Sequence, residues 1–156
     1  MEQHLKNRPK KIIFPKEEII ELRNVAINKL KEKLFPNDKI LKIILIGSSV
    51  NNSFGEYETP GFRGSLFSDF DFIVFVTDEY TIPSWLDREP DGKPFPEEKM
   101  NLAFRNKKFI EDKYDIEIFF IRETTFNNKE IQNLGEAAGI PMTKNSKNKN
   151  IVIYSK

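Results

Sequence analysis

Residues 66–76 read LFSDFDFIVFV. The segment is a strand fit for burial, yet it opens on two carboxylates, Asp69 and Asp71, one residue apart. Alternate side chains of a strand share a face, so Asp69 and Asp71 point the same way. Such a pair repels unless something positive sits between its members, and a buried carboxylate without a partner is costly. Three arrangements relieve it: a metal ion, an Arg or Lys, or exposure at the end of the strand.

Upstream, KILKIILIG is a second apolar strand, running into a glycine turn at Gly47 followed by Ser48 and Ser49. Glycine allows close backbone approach to a ligand, and hydroxyls beside exposed N–H groups can hold phosphate oxygens. Downstream, YDIEIFFI (Tyr114–Ile121) repeats the design of the first stretch. Asp115 and Glu117 share a face at its start, and Phe119 and Ile121 continue that face. Two strands that each begin acidic and turn apolar can bring their carboxylates to one rim of a shared sheet. Mg²⁺ prefers such oxygen ligands and completes its shell with water and substrate phosphates.

The order of these three parts resembles the nucleotidyltransferase superfamily, which includes DNA polymerase beta and the minimal nucleotidyltransferases. LIGSS, then RGSLFSDFDFIVFV, then KYDIEIFF match its apolar strand ending in Gly-Ser, its Asp-x-Asp strand and its later Asp. The resemblance covers residues 40–121 or so. It implies that Asp69, Asp71 and Asp115 are the catalytic and metal-binding residues, holding two Mg²⁺ or Mn²⁺ ions. It further implies that Gly47 and Ser48 hold the terminal phosphates of a nucleoside triphosphate, with Ser49 beside them. Arg63, in the FRG of residues 62–64, is the candidate to touch phosphate or to neutralise Asp69; Glu117 is either a supporting residue behind the ions or a solvated strand residue. The interval between Ser48 and Asp69 is longer than the family's, the extra length falling in VNNSFGEYETPG.

Around these strands, apolar residues at Ile19, Leu22, Ala26 and Leu30 predict a helix over 15–34. Residues 96–112 read as a second helix, and FNNKEIQNLGEAAG as a third, with Asn127 and Glu130 spaced as a capping box and Gly139 as a stop. IVIYS is a short last strand. Residues 1–14 read as a polar tail, and 48–65 and 78–96 as long loops. The expected architecture is therefore a single α+β (mixed α/β) domain over 1–156, with a mixed sheet of about four strands and helices packed on it.

The balance of 25 basic against 24 acidic residues argues against a protein built to grip long nucleic acid. No Cys is present, and the single His4 lies in the polar tail, so thiolate and His chemistry are excluded or improbable at the site. Nothing resembles a signal or membrane-spanning segment, which points to a cytoplasmic protein. The reaction implied is transfer of a nucleoside monophosphate from the triphosphate to an acceptor hydroxyl, releasing pyrophosphate. The acceptor could be a protein side chain, a small molecule or a nucleic acid end. A helical protein partner, as in antitoxin-type minimal nucleotidyltransferases, and a catalytically silent nucleotide-binding module are the alternatives. Trp85 can stack on a base or cap the core. Lys144, Lys147 and Lys149 read as a solvated loop.

Overall fold

The computed structural model describes residues 10–60, 65–88 and 103–156. In chain order the elements are β1 (Lys11–Ile13), α1 (Lys16–Leu34), β2 (Ile40–Ile46), β3 (Gly55–Tyr57), β4 (Phe70–Val76), β5 (Asp87–Arg88) and β6 (Ala103–Ile110). They are followed by β7 (Tyr114–Arg122), α2 (Glu123–Phe126), α3 (Lys129–Ala137) and β8 (Ile151–Ser155). A mixed α+β architecture results, as the pattern of elements predicts. The main sheet has six strands in the order β5-β6-β7-β4-β2-β8, rather than about four. Only β4 and β7 run parallel; the other neighbours are antiparallel.

The alternation within β4 divides the core in two. Phe70, Phe72, Val74 and Val76 face the layer containing α1, where Ile19, Leu22, Ala26, Leu30 and Leu34 are buried. Ile73 and Phe75 face the other way, with Ile121 of β7, Ile131 of α3, Ile140 and Met142. Asp69 and Asp71 fall on this second face by the two-residue period of a strand. They stand where the acidic ends of β4 and β7 extend the face beyond its apolar patch.

The predicted helix over 96–112 is not one. Residues 103–110 form β6, hydrogen-bonded to β7, while 96–102 lie outside the described residues. The stretch is rich in Lys, Asn and Arg, and its two-residue alternation is legible only over its first turns of chain. An irregularity between Asn106 and Ile110, with Lys108 at φ 53°, then breaks the pattern. The hairpin turn to β7 also carries no glycine: Glu111 and Asp112 themselves take positive φ, at 52° and 56°. Positive φ at successive turn residues suits the twist of a tight hairpin, and Asn or Gly is its usual sequence sign.

The described parts of the two long loops, 48–60 and 78–88, carry structure that their composition does not suggest. Within 48–65, a turn after Gly47 leads to Phe54, which is fully buried, and to β3. β3 pairs with β1, so Lys11–Ile13 of the expected tail is a strand too. Within 78–96, residues 78–80 are tied to the end of β7 by Arg122 Nη1, which donates to the carbonyls of Asp78 and Tyr80. Trp85 caps the core, stacked on Phe109 with ring centroids 5.2 Å apart. Its carbonyl also accepts from Asn106 Nδ2 at 2.8 Å.

The third predicted helix is α3, and the short α2 precedes the predicted stretch, meeting it only at Phe126. The cap is Asn128, one residue later than predicted, whose Oδ1 accepts from the Ile131 N–H at 3.1 Å. Gly139, at φ +92°, lies just beyond α3, where the Ile140 N–H returns to the Gly135 carbonyl. Lys144, Lys147 and Lys149 are exposed in the loop before β8. No helix among the described residues is long and apolar enough to cross a membrane.

Candidate functional site

Strand pairing brings the acidic residues together. Asp71 lies opposite Glu117 across the parallel β4–β7 pair, and Glu117 lies opposite Arg105 across the antiparallel β7–β6 pair. On the other side, Asp71 lies opposite Ile46, the last residue of β2. One row thus runs Arg105, Glu117, Asp71, Ile46 across four strands, with Asp69 and Asp115 just ahead of it at the starts of β4 and β7. Residues distant in the chain share one rim because β4 and β7 run parallel and begin side by side.

Arg105 joins that rim. Its Nη1 donates to Asp115 Oδ2 at 2.9 Å. Its Nη2 donates both to Asp69 Oδ2 at 2.8 Å and to Glu117 Oε2 at 2.9 Å. The planar guanidinium, with donors in a fixed fork, suits several carboxylates at once where a Lys ammonium would act as a point charge. The side chains of Arg105 and Asp115 are each 6% exposed, against 18% for Glu117 and 22% for Asp69. Asp115 is committed at both oxygens, since its Oδ1 accepts from the Lys108 N–H at 2.8 Å. The positive φ of Lys108 belongs to the irregularity of β6 that brings this N–H to the carboxylate.

The turn after β2 forms the opposite wall. Gly47 has φ +85°, and a Cβ built on it would fall 2.5 Å from Asp71 Oδ2. A side chain is therefore excluded there by both conformation and contact. The Gly47 carbonyl accepts from the N–H groups of Val50 and Asn51, each at 3.0 Å, and that of Ser48 from Ser53 at 2.9 Å. Ser48 is half-buried on this turn. Ser49 is wholly buried inside it, its carbonyl accepting from Arg23 Nη1, and its hydroxyl has no partner among the described residues.

Of the residues expected at the site, Gly47, Asp69, Asp71, Asp115 and Glu117 thus come to one rim, Ser48 lies on its wall and Ser49 behind it. Arg63 lies outside the described residues. Arg105 is the participant that sequence reasoning missed. The two acidic strand starts signalled that a cation was needed, but the helix-like composition of residues 103–110 hid Arg105 as its source.

The hard oxygen donors suit Mg²⁺, but their arrangement does not suit a resident ion pair. The guanidinium stands among the oxygens that would be shared, and both oxygens of Asp115 are taken by the protein itself. Among the described residues, no group of three or more carboxylate or imidazole side chains is arranged to hold a metal ion. No protein-family model matches the chain, and no curated protein matches it.

Proposed function

We propose that the protein is a nucleotidyltransferase that takes a nucleoside triphosphate as its magnesium complex and passes the nucleoside monophosphate to an acceptor hydroxyl. The acceptor oxygen bonds to the α-phosphorus, the bond from that phosphorus to pyrophosphate breaks, and the hydroxyl proton is released. The observation that carries this reading is the approach of Asp71 to Gly47, with the built Cβ only 2.5 Å from Asp71 Oδ2. A Gly-Ser turn able to take phosphate oxygens and an acidic pair able to meet their cation lie side by side, although the chain separates them widely. Mg²⁺ is commonly held by one or two carboxylates together with substrate phosphates, rather than by an all-protein cage. Asp69 and Asp71 are the carboxylates proposed to meet the substrate. Asp115 is a positioning residue, acting through Arg105.

The test is incubation with Mg²⁺ and each labelled nucleoside triphosphate in turn, with cell extract as the source of acceptor. Label should pass to an acceptor with the wild-type chain and not with Asp71→Asn. Absence of transfer with all the nucleotides, or equal transfer by Asp71→Asn, contradicts the proposal. A second reading, a catalytically silent nucleotide-binding module, is favoured by the engagement of Asp69 and Asp115 with Arg105. Nucleotide binding without any transfer is its distinguishing outcome.

A further inference from the structure

We infer that Arg105 is a resident counter-ion of the acidic rim, supplied by the described residues, so that the nucleotide-free protein holds no divalent ion there. The inference is independent of the transfer reading and applies equally to a silent module. It stands on the oxygens involved. A cation shared by β4 and β7 would draw on Asp69 Oδ2, Asp115 Oδ2 and Glu117 Oε2, the atoms that Arg105 already binds at 2.8, 2.9 and 2.9 Å. Ion and guanidinium therefore compete.

The position of Arg105 is built into the fold. β6 sets it opposite Glu117, and the same strand supplies the Lys108 N–H that fixes the other oxygen of Asp115. The side chain is 6% exposed, so it has little alternative contact with water. A buried charge network of this kind is strongly destabilised when one sign is removed, because the other is left uncompensated. It follows that an Arg105 variant should require a substitute cation, whereas the wild-type chain should not. An ion arriving on a triphosphate reaches the bound oxygen of Asp69 only in exchange for the Nη2 arm.

The experiment measures Mn²⁺ binding, by loss of the free-ion paramagnetic resonance signal, and melting temperature in EDTA and in millimolar Mn²⁺. The chains compared are wild type, Arg105→Gln and Arg105→Lys, all without nucleotide. The wild-type melting temperature should not respond to Mn²⁺. Arg105→Gln should melt lower in EDTA, recover with Mn²⁺ and bind it at least about tenfold more tightly than wild type. Arg105→Lys, which keeps the charge without the fork, should fall between them. If Arg105→Gln is unfolded in EDTA, its refolding by Mn²⁺ supports the inference. Wild-type Mn²⁺ binding as tight as that of Arg105→Gln overturns it. So does an Arg105→Gln chain that stays unfolded at every Mn²⁺ concentration, because an ion competing for the same oxygens would restore it. A failure of label transfer alone leaves these outcomes unaffected.

Discussion

The Asp71 carboxylate lies against the α-carbon of Gly47, close enough that a methyl group there would fall 2.5 Å from Oδ2. Gly47→Ala should therefore do two kinds of damage. At φ +85° a non-glycine residue costs about 1–2 kcal/mol, before the contact with Asp71 is counted. The contact then either displaces Asp71 or opens the turn. We expect a lower melting temperature together with weaker nucleotide binding. Unchanged stability would contradict the close packing of Asp71 against the Gly47 turn.

The carboxylates around Arg105 should not be equivalent in stability. Asp115 is 6% exposed and hydrogen-bonded at both oxygens, whereas Asp69 is 22% exposed and is bound by Arg105 at Oδ2. Loss of one partner from a buried ion pair costs about 3–5 kcal/mol, and Asp115→Ala should lie in that range. Asp69→Ala should cost less, about 1–3 kcal/mol, as for a hydrogen bond to a charged group nearer water. Chemical denaturation of both variants checks the order. The reverse order would place the centre of the network at Asp69.

Glu136 supplies an acid-sensitive contact away from the rim. Burial alone would push its carboxyl up, but donors from Ser146, Met142, Thr143 and Asn148 outweigh it and hold the group below its ordinary value. A carboxyl depressed in the folded state stabilises the fold above its unfolded pKa, and the contribution disappears as pH falls through the folded one. The stability gap between wild type and Glu136→Gln should therefore shrink as pH drops below the ordinary Glu value of 4.5. Melting curves collected across that range test it, and a gap that widens on acidification would contradict the assignment.

The acidic rim was legible in the sequence because the two-residue period of a strand fixes which side chains share a face. Asp69 with Asp71, and Asp115 with Glu117, needed nothing more, and the buried runs behind them marked β4 and β7. The cation between them was not legible, because β6 resembles a helix in composition and turns into β7 through Glu111 and Asp112 without a glycine. The pairing of β1 with β3 was hidden for a different reason. Each has three residues and is stabilised by a partner more than forty residues away, so neither shows a period of its own. Local pattern reports a strand's faces; it does not report which distant strand supplies its counter-charge.

In the proposed function, the Gly47–Ser48 turn and the Asp69–Asp71 pair form one site for the magnesium complex of a nucleoside triphosphate. It is tested most directly by backbone amide NMR of the wild-type chain, titrated with the magnesium complex of a triphosphate whose α,β-bridging oxygen is replaced by methylene. Saturable shifts are expected at Gly47, Ser48, Asp69 and Asp71, with at least about tenfold weaker binding by Asp71→Asn. Absence of binding by every base, or shifts confined to residues away from that rim, would contradict it.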